Sequence, residues 1–178
     1  MKNSLSKPTI LFHWITGLAF LGTLALGLYL EDLPKGAEKM EIMGLHKSIG
    51  VIVFFIAVLR LMWRYKEGMI NSVANLSKFQ SIAARLTHYL LLVATILMPL
   101  SGILMSIGGG RAINIFSLEL IAAGDKIEWL GSISNTIHTG SVNIVIIALL
   151  LHFLGALKHQ FIDKDGTLSR MLGNFHKH

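Results

Sequence analysis

The chain of 178 residues has no cysteine, only three prolines, and charge on only 15% of its residues. Without cysteine there is no disulfide, no cysteine-ligated iron–sulfur cluster, no thiolate zinc site and no haem attached covalently through a C-x-x-C-H motif. A metal or cofactor must be held by histidine, carboxylate, methionine or tyrosine. The scarcity of charge points the same way as the rest of the composition. With 53% hydrophobic residues and a mean hydropathy of +0.62, the chain reads as a membrane protein rather than a soluble domain. The net charge of +6 does not indicate nucleic acid, because no aromatic-basic stripe accompanies it. The basic residues gather instead at the ends of apolar runs.

Four of those runs reach the roughly 20 residues that cross a bilayer: roughly Thr9–Leu30, Gly44–Trp63, Ile82–Ile107 and Thr136–Lys158. The first is too long for the core of a typical signal peptide, has no A-x-A site after it and contains a histidine, so it is expected to be retained. Lysine and arginine number eleven on the side that holds both chain ends and the loop between the second and third runs, and five on the other. That bias places both termini in the cytoplasm. The segment between runs three and four opens with "GGG", which ends a helix, and continues "INIFSLELIAAGDKIEWLG". It suggests a short interfacial segment with Trp129 near the headgroups, and Ser134 or Asn135 as N-cap of the last helix. Pro99 is expected to kink the third helix or to be buffered by its neighbours.

What the chain has in quantity is histidine, eight in all. His138 and His152 are fourteen residues apart, which is about 40° short of four turns and about 21 Å along a helix axis, so the two rings share a face. His13, on an outgoing helix, is level with His152; His46, on a returning helix, is level with His138. Two layers result, each with histidines from two helices. His88 and His159 fall near the cytoplasmic layer, and His176 and His178 belong to a solvated tail. Paired histidines facing one another across a bundle are what six-coordinate haem b requires, one axial nitrogen from each ring. Gly17, Gly50, Gly140 and Gly155, close after the four histidines, suggest room for a macrocycle. Small residues also serve plain helix packing. A lone intramembrane histidine is as readily a hydrogen-bonder, a proton relay or a boundary residue, but four matched in depth are hard to assign that way. Zinc is the main competitor, and a pair of histidines falls short of its usual three or four protein ligands. The expected fold is an all-α integral membrane four-helix bundle binding two haems b, a single domain over residues 1–178.

The stretches "LFHW", "GLHKSIGVIVFFIAVLRLMWR", "THYLLLVATILMPLSGILM" and "IHTGSVNIVIIALLLHFLGALKHQFIDKDGTLSRML" together resemble the bacterial cytochrome b561 family, small four-helix dihaem cytochromes of the inner membrane, over essentially the whole chain. By that resemblance His13 and His152 hold the iron of a cytoplasmic-side haem, and His46 and His138 that of a periplasmic-side haem. The family also implies exchange with ubiquinone, with His88 and His159 as quinone-site residues. For each the bland reading stays open, for His159 that of a boundary histidine reaching lipid headgroups. Arg60 and Arg64, four residues apart on one face, and Lys47 beside His46 are candidate partners of haem propionates; the arginines are equally suited to snorkelling to lipid phosphate.

Three functions follow from this reading. One is a superoxide oxidase, an activity found in the family, in which superoxide is oxidised at the periplasmic haem and quinone is reduced. Another is an electron-transfer subunit linking quinone to a periplasmic redox protein. The third, a transporter or structural bundle without haem, makes the histidines coincidental. Expected partners are membrane lipid, ubiquinone, and superoxide or a redox protein, with no nucleic acid.

Overall fold

The computed structural model describes residues 4–68, 70, 74 and 76–174. His176 and His178, and Lys2 and Lys177 of the charge count, lie outside the described residues. Four helical spans are long and apolar enough to cross a membrane. Helix α1 covers Lys7–Asp32; the Ser6 hydroxyl accepts from Thr9 N–H at its start, and it stops ahead of Pro34, a residue that disfavours helix in the position before it. Helix α2 covers Ala37–Glu67 and ends at Gly68. Helix α3, Lys78–Gly108, opens with a reciprocal cap: Gln80 N–H donates to the Ser77 hydroxyl at 3.3 Å, and Ser77 N–H to the Gln80 side chain at 3.0 Å. Pro99 lies buried inside α3, which runs on through it.

The fourth span differs from its sequence reading. It starts eight residues early, as α4 (Glu128–Gly140), breaks at Ser141, resumes as α5 (Val142–Lys158) and closes in a π-helical turn, His159–Asp163. Neither Ser134 nor Asn135 caps it; Ile127 holds that position, and Ser134 is buried within α4. The cause is contact with α3. Gly108 and Gly131 pass so closely that a Cβ on Gly108 would lie 2.2 Å from Gly131 N, and Ile127 N–H donates to Gly108 O at 2.9 Å. Packing thus nucleates helix where hydropathy alone does not call for it. Gly140–Ser141 supplies the weak link, since both residues are poor helix formers.

The loop before α4, expected as a short interfacial segment, holds a hairpin: β1 (Ile113–Ile115) pairs antiparallel with β2 (Leu118–Ile121). Trp129 sits exposed in the first turn of α4. The hairpin is tied to α2 directly after His46. Lys47 Nζ donates to Ala112 O at 3.1 Å, and Phe116 N–H donates to the Ser48 hydroxyl at 2.8 Å.

Close packing follows chain order: α1 on α2, α2 on α3, and α3 on both α4 and α5. Phe20, Val53, Ala94, Met98 and Val145 form the buried core. Leu18, Leu59, Ile147 and Leu154 are exposed, the outward apolar surface a bilayer would cover. At the end that carries the termini, the indole of Trp14 donates to Met171 O at 2.9 Å, docking the short helix α6 (Thr167–Met171) under α1. Trp63 donates to the Thr9 hydroxyl, which also bonds Glu67, joining α1 to α2.

Candidate functional site

Four histidines meet in two pairs. His13 on α1 faces His152 on α5 with ring centroids 6.1 Å apart, and His46 on α2 faces His138 on α4 at 6.2 Å. The first pair lies toward the termini and is called here the inner pair; the second lies toward the hairpin and is the outer pair. α1–α5 and α2–α4 are not among the closely packed helix pairs, so the rings reach across gaps in the bundle.

The outer rings are fixed by the backbone. His46 Nδ1 lies 3.0 Å from Thr23 O of α1, and His138 Nδ1 lies 2.8 Å from Met98 O of α3. The Ser101 hydroxyl, which donates to Met98 O, offers its oxygen to His138 Nδ1 at 3.1 Å. Each carbonyl belongs to the residue four before a glycine. A Cβ on Gly27 would meet His46 Cε1 at 3.1 Å, and one on Gly102 would meet His138 Cε1 at 3.1 Å. Both rings therefore rest on the bare backbone of a neighbouring helix. A carbonyl at Nδ1 takes the ring proton there and leaves the Nε2 lone pair for a metal, the usual support of a ligating histidine.

The inner pair has other surroundings. No hydrogen bond to a ring nitrogen of His13 or His152 is found among the described residues. His88 of α3 lies 5.4 Å from His152, centroid to centroid, at 72°, and Trp14 stands edge-on to His13 at 5.4 Å. Arg60 is within electrostatic reach of His13, His88 and His152. Arg64 is drawn away: its guanidinium donates to Gly68 O at 2.7 Å, closing the end of α2. Lys47 is the hairpin anchor. His159 bonds Asp165 through Nδ1 at 2.6 Å and is also within electrostatic reach of His88.

Do these residues suit a haem? Two imidazoles sharing one metal ion, each bonded at about 2.0 Å, place their ring centroids about 6 Å apart, as both pairs are. A Cβ at Gly17, Gly50 or Gly155 would meet nothing within 4 Å, so the histidine-bearing helices leave space beside the rings. Gly140 contributes nothing to that space; it is exposed, two residues and thus about 200° round the helix from His138. The Thr16 hydroxyl, one turn from His13, is fully buried and without a partner, a polar atom awaiting something the protein alone does not supply. The residues present fit the group. Sequence reasoning found the four histidines by depth and missed Gly27 and Gly102. Gly102 is the single glycine of the third apolar run, whereas Gly27 is one of three in the first and had nothing to mark it out.

Residues 4–174 match the family described as prokaryotic cytochrome b561. Cytochrome b561 homolog 2 of Escherichia coli K12 is 32% identical over 174 residues, covering 91% of this chain and 87% of its own. Cytochrome b561 homolog 1 of the same organism is 27% identical over 172 residues, covering 96% of this chain and 97% of its own. The chain therefore belongs to the prokaryotic cytochrome b561 family, as a multi-pass electron-transfer cytochrome of the bacterial inner membrane whose family binds b-type haem.

Proposed function

We propose that the chain is one domain carrying two haems b and conducting electrons across the membrane between a periplasmic donor and ubiquinone, with both termini cytoplasmic. His13 and His152 would hold the iron of the inner haem, and His46 and His138 that of the outer one. The observation that carries this reading is the ring separation, 6.1 Å and 6.2 Å, in two pairs each built from two helices. A haem held by two histidines would supply one-electron exchange, which suits electron transfer rather than oxygen activation. The protein's part is orientation. Thr23 O and Met98 O hold the outer rings, and Arg60 supplies a cation beside the inner pair for a propionate. Lys47 and Arg64 remain candidates for propionates only if they leave Ala112 O and Gly68 O.

On this reading ubiquinone binds at the inner end, against His88 and His159. Both can hydrogen-bond a quinone oxygen, and histidine is suited to proton exchange near neutrality. The specific activity proposed is oxidation of two superoxide anions to dioxygen, coupled to uptake of two electrons and two protons by one quinone. Purified protein exposed to pulse-generated superoxide should show haem reduction, followed by reoxidation when ubiquinone is added. Haems that stay oxidised through the pulse rule out superoxide as donor.

The alternative is exchange with a periplasmic redox protein, and one observation favours it. The loops assigned to the periplasm carry five basic and seven acidic residues, a charge that does not steer an anion inward. Lys47 beside the outer pair is the local exception. A haem-reduction rate that rises with ionic strength for superoxide marks the repulsion and supports the protein donor.

A further inference from the structure

The π-helical turn after α5 serves a purpose that the paired histidines do not explain. It carries His159 just beyond α5, and the chain then doubles back. Lys164 and Gly166 take left-handed backbone angles, φ 51° and 79°, on either side of Asp165. The doubling back aims the Asp165 carboxylate at the His159 ring, Oδ2 to Nδ1 at 2.6 Å. Its other oxygen, Oδ1, accepts from Thr167 N–H at 3.0 Å, which fixes the carboxylate from the side of α6. Only 16% of either side chain is exposed. Asp163 is a weaker partner: its oxygen lies 3.3 Å from the same nitrogen and is already neutralised by Lys158 at 2.5 Å. Burial raises the Asp165 carboxyl, but bonds from Thr167 and His159 outweigh it and hold the group below its ordinary value. It is thus an anion at neutral pH.

We infer that Asp165 is the positioning residue of the quinone site, holding the Nδ1–H of His159 so that Nε2 alone faces the substrate oxygen. This rests on the quinone reading above. In quinone reduction the protonated His159 ring gives its Nε2–H to a quinone oxygen as an electron arrives through the cytochrome. The ring keeps Nδ1–H on Asp165, and solvent at the cytoplasmic end restores the proton to Nε2. Two rounds deliver two electrons and two protons and yield quinol. Without the carboxylate no anion offsets the charge of the ring when both nitrogens carry protons, and Nδ1–H loses the acceptor that fixes the ring's orientation toward the substrate.

The test uses the purified, haem-loaded full-length protein with a soluble ubiquinone analogue. Asp165→Asn keeps an oxygen for Thr167 N–H, so the local turn is retained. Its quinone turnover is expected to fall about 10- to 100-fold in kcat, the size of effect seen when the support of a functional histidine is lost. KM is expected to stay within about threefold, because the His159 contact to quinone is not removed. Haem content and the dithionite-reduced spectrum should be unchanged, and Asp165→Glu should recover part of the rate. Asp163→Asn should leave turnover as in the wild type. Wild-type kcat in Asp165→Asn, alongside a severe loss in His159→Gln, overturns the role of Asp165 and leaves the quinone site standing. Wild-type turnover in both variants overturns the quinone site and the inference with it. A loss in Asp165→Asn that only parallels haem loss also overturns it.

Discussion

The outer and inner histidine pairs have nearly the same ring separation and are built by different means. In the outer pair each ring is docked on a glycine and bonded to a helix carbonyl. In the inner pair the rings are surrounded by Trp14, Phe153, His88 and a nearby arginine, with no backbone bond to their nitrogens among the described residues. The outer site has its tautomer and ring angle set before any cofactor arrives. The inner site sits among groups that carry charge or protons. The proposed electron path would use both: a rigid site at one end, and at the other a place where electrons and protons can meet a diffusing carrier.

Removing a ring is the largest perturbation available. His138→Ala and His13→Ala are each expected to lose one of two haems and keep the other, read as haem per chain in a reduced-minus-oxidised spectrum. The inner pair makes the contest sharper, because His88 is closer to His152 than His13 is. His88→Ala should keep both haems. If it loses one while His13→Ala does not, the inner ligands are reassigned to His88 and His152.

Next in size are the platforms. Gly102→Ala and Gly27→Ala push a methyl against an outer ring at 3.1 Å, closer than carbon atoms comfortably pack. Overpacking of that kind costs about 1–3 kcal/mol, or about 5- to 150-fold in outer haem retention. The inner haem should be untouched. An equal loss at both sites would mean that the glycines serve the whole bundle and not the outer rings. Smaller again is Ser101→Ala. It removes one of two acceptors at His138 Nδ1 while Met98 O remains at 2.8 Å, so the cost is expected at about 1 kcal/mol, a few-fold in outer haem retention by titration of apoprotein.

The two ends also differ in how far they were legible. Four spans could be read because hydropathy is a property of the residues themselves, and the pairing of His13 with His152 and His46 with His138 followed from helix rise alone. The early start of α4 could not, since it depends on Gly108 meeting Gly131, two residues with no side chain to announce a contact. The hairpin left a trace in the alternation of "INIFSLELI", which was overridden by its overall apolar character. The outer site's acceptors, Thr23 O and Met98 O, are backbone atoms and leave no mark in composition. His88 and Asp165 came together with His152 and His159 only through tertiary placement, α3 against α5 in one case and the reversal at Lys164 and Gly166 in the other.

The mildest test concerns acid, and it separates the inner end from the rest of the molecule. Asp165 has its carboxyl held below the ordinary 3.8 by Thr167 and His159 in spite of burial. A depressed carboxyl stabilises the fold above its unfolded value and loses that contribution as pH falls through the folded one. No change is therefore expected from this group between pH 7 and about pH 5, and undocking of α6 is expected only below about pH 4. The neighbouring charges do not alter the sign: Lys158 is bound to Asp163, and Arg170 of α6 remains a cation throughout. Trp14 reports the event, since its indole donates to Met171 O at the end of α6. A red shift of its emission on acidification, absent in Asp165→Asn, ties the helix to the carboxylate. A shift that persists in the variant assigns the acid response to another group, and the outer haem spectrum, which has no carboxylate within its hydrogen bonds, should stay constant over the same range.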